Sequence, residues 1–494
     1  MPVVLLGGAS SSHHVVPVAL TCSWVLLLFH ATFGQKPAKL PLISRKPFIA
    51  AWNAPLDLCA MKYNITTNLD HLFHIHGSPR ANWTGQNVTI FYANRLGYYP
   101  YYTLQGAAVH GGLPQNCSLD LHLFKAYQDI NHFIPAEDFR GLAVIDWEFW
   151  RPQWSRNWYR KDIYRQKSKE LTEKAYINVT AAQVEELAQR RFEKSARLFM
   201  QRTIQLGTQL RPNGHWGFYL YPDCHNYNLH EQNYTGFCPL STALVPSVAI
   251  SKSHTNSVIN LHFSQHRIQE ALRVSSLTSK DYDLPTYVYL RLGYRDEALS
   301  FLTTKDLIHT IGESAALGAA GFVIWGDLNL TSSRKTICLS IFSNCVCLLF
   351  PQDNCTKVKS FLSHRLGQYI INVTRAAEVC SDFLCQGNGR CVRRDPHAPH
   401  YLHLSADSYH IQYVPVSCTY CIFIILNVTK HGKMTITDEK RYLNLNALQV
   451  KTFLQHTCRF FLLCTQREVQ GNCWPPWWIT TETTSTLQTY EQHI

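Results

Sequence analysis

The residues best suited to chemistry in this sequence are two carboxylic acids, Asp146 and Glu148, which follow the apolar run Gly141–Ile145. Residues i and i+2 of a β-strand point to the same face, so this spacing predicts that both carboxyls project together. Two carboxyls this close do not both ionise readily, and we expect one pKa of the pair to be raised. A carboxylic acid that is still protonated near the working pH can protonate the leaving oxygen of a glycosidic bond.

Aromatic side chains are concentrated around this acid pair. They are Trp147, Phe149, Trp150, Trp154 and Trp158. Aromatic faces suit sugar rings, and their low polarity raises the pKa of a neighbouring carboxyl by desolvation. An Asp-x-Glu tripeptide alone is common and is usually a solvated surface pair. The buried strand before it and the tryptophans after it favour a functional site here.

The elements that must position the pair are short apolar runs, most of which end in polar or aromatic residues. The other runs are Phe48–Ala51, Ile90–Ala93, Trp216–Tyr221, Tyr287–Leu292 and Gly321–Trp325. Near-continuous apolar strands predict a sheet that is covered on both faces. Helical patterns lie between the runs, most clearly at Ala181–Leu206, with an apolar stripe at helical spacing. This alternation favours a (β/α) barrel over a doubly wound sheet, with the acids at the carboxyl ends of the strands.

Composition limits the classes of protein that this chain can be. Hydrophobic residues make up 46% and charged residues 16%, which excludes a disordered chain or a coiled coil. Lys+Arg 46 minus Asp+Glu 34 gives a net charge of +12, which favours nucleic acid, an anionic membrane or an acidic polysaccharide as partner. The most basic stretch, Arg156–Lys174, is either a solvated helix face or a binding surface. No Gly-rich phosphate loop follows any strand, and we expect no cofactor and no metal.

The amino terminus and the cysteines predict the secretory pathway. Residues 1–35 contain the apolar run Val15–Phe33 and are typical of a signal peptide, although the lack of Lys and Arg before it leaves an uncleaved anchor as the alternative. The 17 cysteines favour an oxidising compartment, outside the cell or at its surface, where nucleic acid is disfavoured. The polar tail 474–494 shows no lipid-anchor signal. Asn-x-Ser/Thr sequons begin at Asn64, Asn82, Asn87, Asn116, Asn178, Asn233, Asn329, Asn354, Asn372 and Asn427.

The stretch GLAVIDWEFWRPQWSRNW, which begins at Gly141, resembles the signature of the hyaluronidase family. These glycosyl hydrolases cleave hyaluronan and chondroitin. Further similar segments are KPFIAAWNAP, VTIFYANRLGYYP, WGFYLYPDCHNY and GESAALGAAGFVIWGD, and the similarity extends from Lys36 to about Ala406. Segments such as RLGYRDEAL are most similar to the type-four, chondroitin-preferring branch.

The resemblance implies a domain organisation. A distorted (β/α) TIM-like barrel is expected over 36–375, followed by a small disulfide-rich EGF-like module, incomplete here, over 376–473. Residues 336–353 look like an insertion in the barrel, because removing them restores family-like continuity. The implied disulfides are Cys59–Cys355 and Cys224–Cys238, with Cys380, Cys385 and Cys391 in the EGF-like module.

The resemblance also implies an activity, that of a secreted endo-β-N-acetylhexosaminidase with a retaining, substrate-assisted mechanism. The substrate's acetamido carbonyl attacks its own anomeric carbon, so the protein supplies an acid and no nucleophile. Glu148 is the expected acid and then base, and Asp146 is expected to orient the acetamido group. The other implied site residues are Tyr219 at that group, Trp325 in its pocket wall, Asp296 as a further acid and Arg151 as a carboxylate partner.

A second hypothesis is a catalytically impaired member of the family that binds glycosaminoglycan without cleaving it. Its basis is the short passage between Cys238 and Ser247, where family members carry a longer segment that helps to form the cleft wall. Either hypothesis predicts a glycosaminoglycan partner, hyaluronan or chondroitin, and a monomeric protein.

Overall fold

The computed structural model describes residues 36–80, 82–222, 241–331, 336–341, 344–349, 353–403, 409–414 and 425–430. All the described helices and strands belong to the unit that begins at Pro37. The predicted signal peptide, the predicted Cys224–Cys238 disulfide and the polar tail lie outside the described residues.

Parallel strands alternate with helices along most of the described chain. The strands are β1 (Ile49–Asn53), β2 (Ile75–Gly77), β3 (Val88–Tyr92), β4 (Tyr101–Tyr102), β5 (Ala108–Val109), β6 (Leu142–Asp146), β7 (His215–Phe218), β8 (Tyr287–Arg291), β9 (Gly321–Trp325), β10 (Thr336–Ile341), β11 (Asn344–Leu349), β12 (Tyr409–Val414) and β13 (Ile425–Lys430). The helices are α1 (Asp57–Tyr63), α2 (Leu119–Phe133), α3 (Asp162–Ala175), α4 (Ala181–Leu210), α5 (Val258–Ser276), α6 (Thr304–Leu307), α7 (Glu313–Leu317), α8 (Asp353–Phe361) and α9 (Gly367–Leu384). The prediction of a mixed (β/α) fold is therefore confirmed.

Two parallel sheets form the centre of the fold. Their strand orders are β2-β1-β9-β8 and β3-β6-β7. The irregular segment 244–247 joins them, because Val245 bridges to Tyr219 after β7, while Leu244 and Ser247 bridge to Thr286 and Tyr289 on the β8 side. The backbone therefore continues from one sheet to the other through this segment.

Alternate residues of each strand enter different parts of the core, as the strand period of two requires. One set faces the space between the sheets and forms a single cluster. Its members include Ile49, Ala51, Val88, Ile90, Leu142, Val144, Tyr287, Tyr289 and Val323. The other set packs outward, where for example Phe91 stacks on Trp216 with ring centroids 5.8 Å apart. Burial on both faces explains why the strands are almost continuously apolar.

Helix α4 begins and packs as its sequence predicts. A capping box closes its first turn, since Thr180 Oγ1 accepts from Gln183 N and Gln183 Oε1 accepts from Thr180 N at 2.9 Å. The apolar stripe is buried at Val184, Ala188, Phe192, Ala196, Phe199 and Met200. The helix extends to Leu210, beyond the predicted end at Leu206.

The carboxyl-terminal part differs from the predicted organisation. The boundary predicted between residues 375 and 376 falls inside α9, so Cys380 belongs to a helix that packs on the core cluster around β1, β8 and β9. Cys380 pairs with Cys391, and Cys385 is buried just after the helix end. The EGF-like module stays a prediction. Within the described residues, the predicted insertion contains a hairpin, β10–β11, whose strands pair only with each other.

The Cys59–Cys355 disulfide predicted from the resemblance is confirmed. It joins α1 to α8 across 296 residues of sequence and is fully buried. Of the sequon asparagines, Asn354 and Asn372 are buried, so a glycan at either would not fit the folded chain. Exposed sequon asparagines are Asn64, Asn82, Asn87, Asn116, Asn178 and Asn329. No helix within the described ranges has both the length and the apolar character to cross a membrane.

A buried ion pair attaches the segment after α9 to the fold. Arg393 Nη1 donates to Glu313 Oε2 at 3.1 Å, and the two side chains are 2% and 0% exposed. The backbone N–H of Arg393 also donates to Ala316 O at 2.7 Å, so this segment lies directly on α7.

We expect Glu313→Gln to lower the free energy of unfolding by about 3–5 kcal/mol, because it leaves a buried guanidinium without its counter-charge. Glu270→Gln, which breaks the more exposed Arg273–Glu270 pair, should cost less than about 1 kcal/mol. Urea denaturation of the two variants measures both effects. Similar losses in both variants would contradict the stabilising role of the buried pair.

Candidate active site

The carboxyl ends of the parallel strands place polar side chains in one layer. Tyr92 at the end of β3 lies opposite Asp146 at the end of β6, and Tyr219 N donates to Ile145 O at 2.9 Å. Tyr92, Asp146 and Tyr219 are therefore neighbours across the β3-β6-β7 sheet. Residues in register on adjacent parallel strands project from the same face, and this face is the one that holds the inner core.

The second sheet also places polar and aromatic side chains at the carboxyl ends of its strands. Asn53, Trp325 and Arg291 lie in register at the ends of β1, β9 and β8. Trp325 Nε1 donates to Tyr92 OH at 3.1 Å, which connects this row to the first sheet. The Arg291 guanidinium lies 4.5 Å from the centroid of the Trp325 ring, in cation–π geometry. One polar rim therefore covers the inner core at the carboxyl ends of both sheets.

Asp146 and Glu148 meet at this rim, although they do not lie on one strand. Strand β6 ends at Asp146 and Glu148 belongs to the following loop, so the predicted i, i+2 strand geometry is wrong in detail. Their side chains are nevertheless hydrogen-bonded to each other. The structure thus brings together the pair that the sequence singled out.

The pKa of one carboxyl of the pair is raised, as expected, and that carboxyl is Asp146. Burial raises the pKa of Asp146 to about 8, and the neighbouring Glu148 adds to the shift. The Glu148 side chain is 48% exposed, so the desolvation falls mainly on Asp146. Asp146 Oδ1 is buried and has no hydrogen-bond partner among the described residues.

A network of hydrogen bonds holds the loop that carries Glu148. Arg151 Nη2 lies 3.8 Å from Glu148 Oε2, and Arg151 Nη1 donates to Glu148 O at 3.2 Å. The buried Asn157 accepts from Arg151 N at 2.9 Å and donates to Arg151 O at 2.8 Å. Lys161 Nζ donates to Glu148 O and to Phe149 O. The predicted role of Arg151 as a carboxylate partner agrees with this geometry.

The tryptophans around the acids are mostly buried supports and do not form a sugar-binding wall. Trp147, Trp150 and Trp154 belong to the core cluster shared with α4. Trp147 stacks on Tyr99 with centroids 4.5 Å apart, and Trp150 Nε1 donates to Pro100 O at 2.8 Å. The expectation that these rings crowd the site is thus corrected. They fix the acid-bearing loop against the core, and Phe149 and Trp158 are the members that stay exposed.

Tyr219 lies beside the acid pair. Its hydroxyl donates to Ser247 Oγ at 3.2 Å, and its ring is 5.4 Å from that of Tyr289. Burial raises the pKa of Tyr219 to about 12, and the nearby charges of Glu148 and Asp146 act in the same direction. The Tyr219 hydroxyl therefore stays protonated at ordinary pH and is available as a donor. Burial likewise raises the pKa of Tyr92 to about 12.

Asp296, predicted as a further active-site acid, lies instead on an exposed loop. Its carboxylate accepts from Lys252 N at 2.8 Å and from Ser251 Oγ at 2.6 Å, and these bonds lower its pKa to about 2. None of its hydrogen bonds within the described residues reaches the acid pair. Asp296 therefore ties two surface loops together, and this placement does not support a role at the acids.

Sequence reasoning missed several members of the rim. Tyr92 and Arg291 are each the last residue of an apolar strand, as Asp146 is, so the same test could have found them. Ser247 had no such signal, because the segment 244–247 is too irregular to read as a strand. No group of His, Cys, Asp and Glu within the described ranges is arranged to hold a metal ion.

Comparison with known proteins identifies the family. The family model described as hyaluronidase matches residues 37–442 of this chain. The chain belongs to the hyaluronidase family. Members of the family are glycosidases, so the protein is an enzyme of the hyaluronidase type of O-glycosyl hydrolase.

Individual members of the family match over most of the chain. Human Hyaluronidase-4 is 56% identical over 415 residues, which cover 81% of this chain and 82% of the relative. Hyaluronidase PH-20 of Macaca fascicularis is 41% identical over 81% of this chain and 76% of its own length. The crystal structure of bee venom hyaluronidase in complex with a hyaluronic acid tetramer superimposes with a TM-score of 0.53 at 26% identity, covering 66% of this chain and 98% of the bee chain. The predicted similarity to type-four hyaluronidases is confirmed.

The raised pKa of Asp146 predicts a specific pH dependence of stability. Between about pH 4 and pH 8, Asp146 keeps its proton in the folded protein and loses it in the unfolded chain. The folded state then binds more protons, so rising pH destabilises the wild type. Asp146→Asn cannot ionise, and its unfolding free energy relative to wild type should increase steadily across this range. Denaturant titrations at several pH values measure the difference, and a difference independent of pH would disprove the raised pKa.

Proposed function

We propose that this protein is a secreted endo-β-N-acetylhexosaminidase that hydrolyses hyaluronan and chondroitin by a retaining, substrate-assisted mechanism. The observation that carries the proposal is the hydrogen-bonded Asp146–Glu148 pair at the rim, with the Tyr219 hydroxyl and the Trp325 ring beside it. The hyaluronic acid tetramer bound to the related bee venom enzyme supports an acidic polysaccharide as substrate. The net charge of +12 fits the same partner.

In the first step the acetamido carbonyl oxygen attacks the anomeric carbon of its own sugar. The bond between that carbon and the glycosidic oxygen breaks, and Glu148 gives its proton to the departing oxygen. In the second step water attacks the same carbon and releases the acetamido oxygen, while Glu148 takes a proton from the water. Two inversions give net retention, and Glu148 ends as it began.

The proton for the first step is held by the acid pair. Asp146 carries it in the free protein, since burial has raised its pKa to about 8. A bound sugar chain removes water from the half-exposed Glu148 side chain, and the hydrogen bond between the two carboxyls lets the proton pass to it. Asp146 then becomes negative beside the acetamido group as that group becomes positive. The unpartnered Asp146 Oδ1 is the natural acceptor for the acetamido N–H.

Tyr219 and Trp325 are proposed to enclose the acetamido group. The Tyr219 hydroxyl, which now donates to Ser247, can turn its proton toward the acetamido carbonyl oxygen. Trp325 is held by Tyr92 through its indole N–H and by Arg291 on one ring face, so its orientation is fixed before substrate binds. Binding without cleavage is the weaker alternative, because the acid pair and the contacts of Arg151 and Asn157 that support it are complete.

We also propose export and glycosylation of the chain. The two described disulfides and the exposed sequon asparagines support an oxidising, lumenal path and a destination outside the cell or at its surface. We propose further that the chain forms a distorted (β/α) TIM-like barrel followed by an EGF-like module that contains Cys380, Cys385 and Cys391.

We expect Glu148→Gln to lower the release of reducing ends from hyaluronan and chondroitin by about 10³-fold, the usual range for loss of a general acid. The amide keeps the shape of the side chain, so the unfolding midpoint should not fall. Glu137→Gln alters an exposed glutamate elsewhere and serves as the matched control. Unchanged turnover in the Glu148→Gln variant would contradict the proposed mechanism.

Tyr219→Phe should lower kcat by about 10²-fold, because it removes a preorganised donor to the acetamido oxygen while keeping the ring. Ser247→Ala removes only the present partner of that hydroxyl and should change kcat by less than about fivefold. Steady-state kinetics on a defined oligosaccharide separates kcat from KM. Equal losses in the two variants would mean that Tyr219 acts through Ser247 and does not contact the substrate.

A further inference from the structure

A cavity that the mechanism above does not use adjoins Glu148. It has a volume of about 660 Å³, and we call it the Glu148 cleft. Glu148 and Phe149 line it together with Leu104 from the β4–β5 turn and the consecutive cations Arg160 and Lys161 before α3. It is open to solvent on one side, and the Leu104 side chain at its edge is exposed.

Glu148 is shared between the cleft and the rim, and this fixes what the cleft can hold. Asp146, Tyr219 and Trp325 do not line the cleft, so the acetamido-bearing sugar lies on their side of Glu148. A general acid must reach the leaving oxygen, which joins the reacting sugar to the next one. The next sugar therefore lies on the other side of Glu148, where the cleft is. This step rests on the proposed function.

The walls of the cleft suit a sugar that carries a negative charge. The Phe149 ring is 38% exposed and is stacked on Tyr101 with centroids 4.1 Å apart, so it offers a fixed apolar face. Lys161 Nζ is bound to the carbonyl oxygens of Glu148 and Phe149, which anchors the turn before α3 to the acid-bearing loop. The neighbouring Arg160 is held at the cleft by the same turn.

Arg160 differs from the ion-paired cations of α3. Three of those further along are already neutralised by nearby carboxylates. The pairs are Arg165–Asp162, Lys167–Glu170 and Lys169–Glu185. The Arg160 guanidinium is exposed and makes no hydrogen bond or ion pair with any described residue. Arg165, Lys167 and Lys169 are therefore occupied by carboxylates, whereas Arg160 is a cation at the cleft without a carboxylate partner among the described residues.

We propose that the Glu148 cleft is the leaving-group subsite and that Arg160 binds the carboxylate of the uronate that departs. Hyaluronan and chondroitin alternate an N-acetylhexosamine with a uronate, so cleavage at the hexosamine always places a uronate in the next position. A guanidinium there is a bidentate partner for a carboxylate and selects acidic polymers over neutral ones. Arg160 is on this view a specificity-determining residue.

Binding to a full-length chain that carries Glu148→Gln tests the assignment without turnover. The probes are a hyaluronan hexasaccharide and the same hexasaccharide with its carboxyls reduced to alcohols. Adding Arg160→Ala should weaken calorimetric binding of the acidic probe about fivefold, the upper range for one exposed ion pair, and leave the neutral probe unaffected. Arg160→Lys should retain much of the affinity. Arg202→Ala, on the exposed face of α4, should change neither probe.

The outcomes separate this inference from the proposed function. Equal weakening of both probes, or no weakening of either, overturns the role of Arg160. Turnover of the two polymers by the wild-type chain is measured alongside. If the wild type cleaves them but Arg160→Ala has no acid-specific effect, only the subsite assignment falls. If the wild type cleaves neither polymer, the proposed function and the leaving-group assignment fall together.

Discussion

The hydrogen bond between Asp146 and Glu148 is the constraint on which the site depends. Two hydrogen-bonded carboxyls share one proton, because two negative charges in a partly buried site repel each other strongly. The end of strand β6 buries Asp146, while the loop leaves Glu148 half exposed. In the proposed mechanism, that asymmetry decides which carboxyl holds the proton in the free protein and which meets the substrate. The pair is useful only if the surrounding structure keeps both side chains in place.

The strands keep them in place through their periodicity. Each central strand sends alternate residues into the inner core, and the last inward position on each lies in the polar rim. Tyr92, Asp146, Trp325 and Arg291 are therefore level with one another without any loop having to place them. The apolar layers below them are tightly packed, and a packed core resists the small displacements that would separate the two carboxyls.

The loop after β6 depends on a different kind of support. Its indoles pack into the core beside α4, and Asn157 closes the backbone around Arg151. Lys161 fastens the following turn to the same loop. A loop held by buried rings and buried hydrogen bonds can carry a half-exposed acid without becoming mobile. Phe149 on this loop and Arg160 on the following turn are exposed. They are therefore able to contact a polymer chain in the Glu148 cleft.

The sequence alone determined the alternation of strands and helices, because apolar runs and a helical stripe such as that of α4 follow directly from local periodicity. It also located Asp146 and Glu148 and, through the resemblance, Tyr219, Trp325 and the Cys59–Cys355 disulfide. Only the tertiary structure decided that Asp146 is the protonated partner, that Trp147, Trp150 and Trp154 are buried supports and that Asp296 caps a surface loop. Those properties depend on desolvation and on contacts between residues far apart in the chain, and neither is encoded in the spacing of neighbouring residues.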